Sequence, residues 1–403
     1  MRVAVVGGGA AGFFAALSVK AHHPTAEVTL FEKSTKLLSK VRISGGGRCN
    51  VTHACFNDRK LAAHYPRGER FLRKSFGLFS TRGTVLWFTD RGVELKTEPD
   101  GRMFPTTDDS RTVIDCLMHA AGMSHVRVLI GTGVSSCTRE TKGFGVELST
   151  GGIEHFDRVI ITSGGHPKTE GYAWLKNLGH TIIPPVPSLF TFNMPDEPVR
   201  ELMGVVADPA RVRIIGTDLE SNGPLLITHW GMSGPAVLRL SAWGARIVHD
   251  LGYRFTVQVN WLGGLSEDAV RSRFTEEEEG MRRKQVENAN VFALPKRLWS
   301  FLLLKAGISP GVVWGNLPKK DRNRLIDLLT NDRYAVHGKT TFKEEFVTAG
   351  GIALDEVDPL TMLSVRVPGL YFAGEVLDID GITGGFNFQA AWTTGFIAGQ
   401  LRS

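Results

Sequence analysis

The sequence predicts an α/β fold in which a parallel sheet with helices is interrupted by a β-rich domain. Three observations support this prediction. The apolar run Val3–Val6 leads directly into glycines, a pattern typical of a strand that is buried on both faces of a parallel sheet. Two more strand-to-glycine segments follow, at residues 158–165 and 369–375. After residue 188, short runs of β-branched and aromatic residues indicate a second, different sheet.

The composition is that of a globular chain with a large core. Of 403 residues, 42% are hydrophobic and 22% are charged, and a chain of this length usually forms two or three domains. Subtracting 41 acidic from 47 basic residues leaves a net charge of +6. This excess permits a polyanionic partner without requiring one. The composition excludes a disordered or fibrous protein.

The cysteines and the hydropathy pattern indicate in which cellular compartment the protein is expected. Cys49, Cys55, Cys116 and Cys137 form no Cys-x-x-Cys pair and no metal-ligand spacing, so we expect no disulfide framework and no metal. The last three of them are expected to be inert. No apolar run approaches the ~20 residues that span a bilayer, and the early glycines argue against a signal peptide. We expect a soluble, cytoplasmic protein.

The N-terminal segment matches a dinucleotide-binding fingerprint. Gly7, Gly9 and Gly12 form the pattern Gly-x-Gly-x-x-Gly. A helical segment from Phe13 to Lys20 follows, and Glu32 ends the second predicted strand. The glycines allow a tight turn, a close approach of a pyrophosphate to the backbone, and close packing of helix and strand. An acid at the position of Glu32 accepts hydrogen bonds from ribose hydroxyls, which favours FAD or NAD over NADP.

Further glycine clusters favour FAD over NAD. Ile43–Asn50 combines exposed backbone with polar donors, and Arg158–Gly165 is a buried strand that ends in small residues. A third cluster begins at Gly374–Glu375, continues through residues 381–387, and leads into an alanine- and aromatic-rich helix. A long cofactor can place its ribityl chain on the acid and its isoalloxazine at the helix start. No second fingerprint follows, so a nicotinamide donor, NAD(P)H, is expected to dock transiently.

These motifs resemble those of the BaiN/RdsA family of flavoproteins. The similar blocks are the fingerprint with Glu32, then Ser44–Asn50, Thr228–Pro235, and Gly374–Gly381 continuing through Ala391. The resemblance extends over the whole chain and implies a bound FAD. It also implies an FAD domain interrupted by a β-rich domain with a small helical insertion, and hydride delivery to an electron-poor C=C bond. Members of this family are assigned to bile-acid double-bond reduction or to dihydrouridine formation in large-subunit ribosomal RNA.

We therefore expect three segments. Residues 1–188 form the first part of a Rossmann-like FAD-binding domain and end in the stiff linker Pro184–Pro187. Residues 189–340 form the inserted β-rich domain, with a helical subdomain at about 266–330, and residues 341–403 return to the FAD domain. The helical subdomain is rich in lysine and arginine. These side chains either contact ribosomal RNA phosphates or form an ordinary solvated face, since Glu276–Glu279 nearly offsets the adjoining arginines.

The cofactor site is expected to draw on all the glycine clusters. The predicted cofactor-binding residues are Gly7, Gly9, Ala10, Ala11, Gly12, Glu32, Lys33, Gly47, Arg48, Asn50, Val134, Ser163, Gly164, Gly165, Gly374, Glu375, Gly385, Phe386 and Asn387. Glu375 and the nearby Asp378 are interpreted as cofactor ligands or loop-stabilising acids. Trp230 and Phe386 either stack on the flavin or a flat base, or pack in the core.

Reduction by hydride also requires a proton donor close to the substrate. Cys49 is one candidate, because the neighbouring cation of Arg48 lowers the pKa of a thiol. Its alternative role is that of a small buried packing residue. His229 is the other candidate, and its alternative role is that of a hydrogen-bonded structural histidine.

The sequence thus predicts an FAD-dependent oxidoreductase that takes electrons from NAD(P)H and reduces a C=C bond. A uridine of ribosomal RNA is the favoured substrate, giving dihydrouridine. Two alternatives stay open. One is an FAD-dependent oxidase or reductase of a small metabolite, and the other is an RNA-binding protein in which FAD is structural.

Overall fold

The computed structural model describes residues 1–340 and 347–402. Its residues divide into two compact units. Met1–Ser188 and the described C-terminal residues form the first unit, and the second unit begins at Leu189. The start of the predicted C-terminal return, residues 341–346, lies outside the described residues.

The strands belong to five sheets within the described residues. In chain order they are β1 Arg2–Val6, β2 Glu27–Phe31, β3 Thr52–His53, β4 Leu95–Thr97, β5 Arg102–Pro105, β6 Arg127–Leu129, β7 Val134–Arg139, β8 Phe144–Leu148, β9 Ile153–Phe156, β10 Arg158–Ile161, β11 Ile182–Ser188, β12 Thr191–Asn193, β13 Val206–Ile214, β14 Glu220–Thr228, β15 Gly231–Ser233, β16 Arg254–Asn260, β17 Asp332–His337, β18 Lys339–Thr340, β19 Val347–Ile352 and β20 Leu370–Phe372.

The helices range from single turns to segments of three or four turns. In chain order they are α1 Ala10–His22, α2 Ser39–Ile43, α3 Asp58–Ala62, α4 Glu69–Phe76, α5 Thr81–Thr89, α6 Ser110–Met123, α7 Ala173–Asn177, α8 Pro235–Trp243, α9 Ala245–Asp250, α10 Glu267–Glu276, α11 Glu278–Met281, α12 Lys296–Lys305, α13 Lys319–Asn331 and α14 Phe386–Ala398. Within the described ranges, none of them is both long enough and apolar enough to cross a membrane.

A five-stranded parallel sheet forms the centre of the first unit. The strand order is β20–β10–β1–β2–β6. In β1, Val5 lies between Leu30 of β2 and Ile160 of β10, and all three side chains are fully buried. This burial on both faces is what the apolar run predicted. Because all the strands are parallel, their carboxyl ends lie at one edge, where ligands of such sheets bind.

Helices α1 and α14 pack closely on each other because glycines lie at the contact, one within α14 and one directly after it. A Cβ placed on Gly395 would lie 2.5 Å from the carbonyl oxygen of Ala11, and one on Gly399 would lie 2.4 Å from that of Ala15. Any side chain at either glycine would therefore push the helices apart. The C-terminal helix is in this way fixed against the helix that follows the fingerprint.

The predicted proline linker at residues 184–187 is wrong. These prolines lie within β11, which pairs antiparallel with β19 in a two-stranded sheet. The register shifts between Ile183 and Val186, which is where the missing N–H groups of Pro184 and Pro185 interrupt the ladder. An edge strand tolerates prolines at such an irregularity.

The second unit is built on a seven-stranded antiparallel sheet with the order β17–β16–β13–β14–β15–β12–β18. Helices α10–α13 lie between β16 and β17 in the chain, and their apolar faces share one core with the sheet. Trp261, Trp299 and Trp314 are the largest side chains of that core. A parallel-sheet unit and an antiparallel-sheet unit confirm the predicted fold class.

Candidate functional site

The fingerprint glycines form the tight turn that the motif predicts. Gly7 follows β1 with a φ of +121°, and its N–H donates to the carbonyl oxygen of Phe31 at 2.8 Å. A Cβ on Gly12 would lie 1.9 Å from the Gly7 carbonyl oxygen. Thr162, at the end of β10, donates its hydroxyl to the same oxygen at 3.0 Å. Neither glycine therefore has room for a side chain.

Gly9 differs from these two glycines because it faces open space. A Cβ built on it meets no described atom within 4 Å, although it caps α1 with a φ of −93° that any residue adopts. The first N–H groups of α1, which include those of Ala10 and Ala11, have no intrahelical acceptor. The space at Gly9 can hold a diphosphate, because the unpaired N–H groups can donate to its oxygens and the positive end of the helix dipole attracts its charge.

Glu32 lies at the end of β2 and faces the fingerprint. Its carboxylate accepts from the N–H of Gly8 and from the N–H of Ser34, both at 2.8 Å. Two other predicted residues lie nearby. A Cβ on Gly133, next to Val134, would lie 3.0 Å from Cβ of Lys33. Glu32, Lys33 and Val134 thus come together on the β2 side of the turn.

Two hydroxyl groups near the end of β10 are buried without a hydrogen-bond partner among the described residues. They are Ser163 Oγ, which follows β10, and Thr348 Oγ1. A Cβ on Gly165 would lie 2.6 Å from Thr348 Oγ1 and 2.8 Å from Glu375 Oε1. A buried hydroxyl without a partner is costly, so this place suits a polar ligand. Gly164 leaves room for one, because a Cβ there meets no described atom within 4 Å.

The carboxylate of Glu375 lies beside Gly165 and Thr348. Two of its hydrogen-bond donors were not predicted from the sequence. Its Oε2 accepts from Lys40 Nζ at 2.5 Å, and its Oε1 accepts from the N–H of Thr348 at 2.8 Å. Lys40 gave no signal in the sequence, because it is one charged residue of a short helix. Thr348 begins a run of small residues, Thr348–Gly351, which is a signal that could have identified it.

The start of α14 is fixed by hydrogen bonds to neighbouring loops. With its amide oriented for hydrogen bonding, Asn50 accepts from the N–H of Gly385 at 2.9 Å and donates to the carbonyl oxygen of Thr52 at 3.0 Å. Asn387 donates to the carbonyl oxygen of Gly381 at 3.0 Å and accepts from its N–H at 2.8 Å. Asn50 and Asn387 therefore hold the loops, and the first N–H groups of α14 stay available.

Phe386 does not offer a ring face to a cofactor. It is 1% exposed, and its ring stacks against His64 at 4.3 Å and against His53 at 4.7 Å between centroids. Its carbonyl oxygen accepts from the hydroxyl of Tyr65 at 2.6 Å. The core alternative for Phe386 is the one that the structure supports.

The structure contradicts the expectation that Cys49 is an activated thiol. Cys49 is fully buried, and burial raises the pKa of its thiol to about 12. The guanidinium of Arg48 turns away, to Glu98 at 2.6 Å and over the ring of Phe104 at 4.0 Å. Arg48 thus does not activate the thiol, and its Nε and Nη1 groups already donate to the Gly45 carbonyl oxygen and to Glu98. Gly46 and Gly47 both face open space, since a Cβ on either would meet no described atom within 4 Å.

His229 lies in the second unit, on a cavity of about 340 Å³. The cavity is lined by Asn193, Pro195, Arg200, His229, Trp230 and His337. The ring of His229 lies 4.0 Å from that of Trp230, and Arg200 donates to the His229 carbonyl oxygen at 3.5 Å. Two imidazoles, a guanidinium and an amide around one cavity can bind a polar molecule. The described residues contain no group of three metal-ligating side chains.

The comparisons with known proteins establish the family. The family model described as "HI0933-like protein Rossmann domain" matches residues 1–401. The chain belongs to this family. It is 28% identical to the 3-dehydro-bile acid delta(4,6)-reductase of Clostridium scindens, over 99% of this chain and 98% of that protein. It is also 28% identical to the ribosomal RNA dihydrouridine synthase of Escherichia coli, over 98% of this chain and 96% of that protein.

These relatives confirm the resemblance drawn from the motifs. Both names describe reductive chemistry, and the protein is an oxidoreductase enzyme of this family, as predicted. Among solved structures, the 3-ketosteroid delta1-dehydrogenase of Sterolibacterium denitrificans, in complex with 1,4-androstadiene-3,17-dione, aligns with a TM-score of 0.51. The alignment covers 98% of both chains at 13% sequence identity. At this identity the likeness shows the fold alone.

Proposed function

We propose that the protein binds FAD along the carboxyl edge of its parallel sheet and uses it to reduce a C=C bond. The observation that supports this most is the open room at Gly9, beside the unpaired N–H groups of α1. The hydroxyls of Ser163 and Thr348, which have no hydrogen-bond partner among the described residues, lie near the end of the neighbouring strand. An extended polar ligand that reaches from Gly9 to Ser163 and Thr348 would accept hydrogen bonds from the N–H groups of α1 and from the two hydroxyls.

The residues present fit such a cofactor. Glu32 accepts from the ribose hydroxyls, and the N–H groups of Ala10 and Ala11 bind the diphosphate. Ser163 and the Glu375–Lys40 pair offer polar contacts to the ribityl chain, and the N-terminus of α14 stabilises negative charge on the ring. Bound FAD supplies hydride transfer to an electron-poor double bond.

We propose a uridine of ribosomal RNA as the substrate and NAD(P)H as the transient electron donor. The similarity to a ribosomal RNA dihydrouridine synthase supports this substrate, as does the excess of basic residues. The first unit has one Gly-x-Gly-x-x-Gly turn, at residues 7–12, which is occupied by FAD in this proposal. A nicotinamide donor then has to approach from solvent and leave again.

His229 is the proton donor that we propose, since Cys49 is buried. Its side chain is exposed on the cavity beside Trp230 and Arg200. An imidazole can donate a proton to a reacting carbon or through a water, which suits general acid catalysis. Replacing His229 with Asn should leave the FAD content and the rate of flavin reduction unchanged. It should slow reoxidation by substrate by about 100-fold, the low end for a lost general acid, in stopped-flow measurements.

A second candidate is reduction of a double bond in a small ring compound. The identity to the bile-acid reductase is 28%, the same as to the dihydrouridine synthase, so sequence similarity does not separate the two substrates. The cavity at His229 has room for a small molecule.

A third alternative is an RNA-binding protein in which FAD is structural. In that case the flavin should stay oxidised when NADPH is added in the absence of oxygen.

Mass spectrometry of ribosomal RNA nucleosides tests the proposed substrate. We expect dihydrouridine to be missing from large-subunit RNA of a strain that lacks the gene, and to return with the intact gene. The His229→Asn gene should restore it poorly. Unchanged dihydrouridine in the deletion strain, together with rapid flavin reduction by NADPH, would favour the small-molecule candidate.

A further inference from the structure

We propose that a basic surface on the helical part of the second unit binds the phosphodiester backbone of RNA. We define the basic surface as Arg282, Arg283, Lys284, Lys319 and Lys320, which follow α11 and begin α13. All five side chains are exposed. This inference rests on the proposed function for the identity of the partner, but its residues lie outside the site described above.

The nearby acidic run does not neutralise the basic surface. Glu276 and Glu277 pair with Arg273 at 3.6 and 3.0 Å, and Glu278 pairs with Arg322 at 3.6 Å. Three of the four acids therefore have other partners, and Glu279 is the exception. Among the described residues, the five members of the basic surface make no ion pair.

Arg282 and Arg283 lie on a segment whose backbone is hydrogen-bonded to a second segment. Backbone hydrogen bonds join the segment after α11 to the segment before α13, from Gly315 to Arg282 at 3.0 Å and from Trp314 to Lys284 at 2.9 Å. Trp314 is buried and contacts Phe274 with 4.8 Å between centroids. A fixed backbone lowers the entropy lost when these side chains bind a ligand.

The two hydrogen-bonded segments also line a cavity. It measures about 430 Å³ and is lined by Arg282, Arg283, Val313, Gly315 and Asn316. Two guanidinium groups beside an amide can hold a phosphate by forked, charge-assisted hydrogen bonds. Lys319 and Lys320 are the first residues of α13, where cations oppose the helix dipole. Their charge is therefore unfavourable for the helix itself and favourable for an anion that binds there.

The surroundings favour RNA over an acidic protein. Protein interfaces are depleted of lysine and have an apolar centre. Between Arg282 and Lys320 only Leu304 is an exposed large hydrophobic residue. A surface of unpaired cations without an apolar centre is instead what binding to a phosphate backbone requires.

The test measures the salt dependence of RNA binding by the flavin-loaded protein. Fluorescence anisotropy would follow a short fluorescein-labelled RNA stem-loop over a range of salt concentrations. For Arg282→Ala/Arg283→Ala we expect the slope of log K against log salt to fall by about 2, one unit for each lost phosphate contact. Affinity at physiological salt should weaken by about tenfold.

A matched control removes the same charge elsewhere. Arg73 and Lys74 are exposed on α4 of the first unit and make no ion pair with the described residues. Arg73→Ala/Lys74→Ala should change affinity by no more than about twofold. The inference would be overturned if both double variants lost RNA affinity equally, or if the wild type did not bind RNA. Competition by polyglutamate as effective as that by unlabelled RNA would also overturn it.

The same samples separate this inference from the proposed function. Flavin content and flavin reduction by NADPH should be identical in the wild type and both double variants. An unchanged salt slope in Arg282→Ala/Arg283→Ala, with dihydrouridine still formed by the wild type, refutes the surface alone. A wild type that binds RNA through these arginines and forms no dihydrouridine refutes the proposed function alone.

Discussion

At the residue scale, Gly9 gives a substitution that separates folding from cofactor binding. Its φ suits any residue, and its Cβ would meet no described atom, so Gly9→Val should fold normally. The valine would occupy the room proposed for the diphosphate. We expect at least a 20-fold lower ratio of flavin to protein absorbance, equivalent to about 1.8 kcal/mol.

Gly122 provides the control for this substitution. It lies in α6, and a Cβ there also meets no described atom. Gly122→Ala should keep the full flavin content and raise stability by about 0.5–1 kcal/mol, because alanine is the better helix former. Full flavin content in Gly9→Val would contradict the assignment of the fingerprint.

Cys49 gives a second prediction at this scale. Because burial raises the pKa of its thiol to about 12, only about one part in 10⁴ is thiolate at pH 8. Iodoacetamide at pH 8 should modify the partly exposed Cys55 well before Cys49, and unfolding should remove the difference. Cys49→Ala should leave reoxidation of the flavin by substrate unchanged. Peptide mass spectrometry and stopped-flow absorbance measure these outcomes.

At the scale of elements, a buried ion pair joins the loop before α4 to the loop before α14. Asp380 is 0% exposed, it pairs with Arg67, and it accepts from Ser188 Oγ at 2.6 Å. Burial raises the pKa of Asp380, although Arg67 opposes the rise. Arg67→Met should cost about 3–5 kcal/mol at neutral pH, because it leaves a buried charge without its partner.

The pH dependence checks this explanation. In Arg67→Met the pKa of Asp380 rises further above its value in the unfolded chain. A carboxyl group of this kind lowers stability progressively as the pH rises through its folded pKa. Urea unfolding should therefore show a larger loss at pH 8 than at pH 5, whereas the exposed Arg73→Met should change stability by less than about 0.5 kcal/mol. A loss independent of pH would contradict a buried charge as its cause.

Elements with strong local patterns could be predicted from the sequence. The apolar run of β1 and the glycines after it were enough to predict the turn and α1, because the residue types themselves indicate a buried strand and a backbone that can turn tightly. The partner of Arg48 could not be predicted, since Glu98 lies 50 residues away and nothing local selects it over Cys49. The prolines of β11 were misread because the partner strand that tolerates them, β19, lies far along the chain.

At the scale of the whole molecule, the chain is an α/β oxidoreductase of the HI0933-like family, and its two units present different groups of side chains. The first has the fingerprint, the open space at Gly9, and the hydroxyls of Ser163 and Thr348 that lack a partner among the described residues. The second has the His229 cavity and the basic surface. The fold class followed from strand and glycine patterns. The sequence could not predict that Arg282 and Arg283 make no ion pair with the described residues, because the acids at 276–279 lie close to them in the chain but have other partners.

The most direct test of the central claim is the identity of the cofactor released from the purified protein. Heat denaturation followed by chromatography and mass spectrometry of the supernatant would measure it. We expect FAD, at about one molecule per chain, which is the stoichiometry of a single dinucleotide fingerprint. A colourless protein that fails to take up added FAD, or one that releases FMN, would contradict a dinucleotide bound along the carboxyl edge of the parallel sheet.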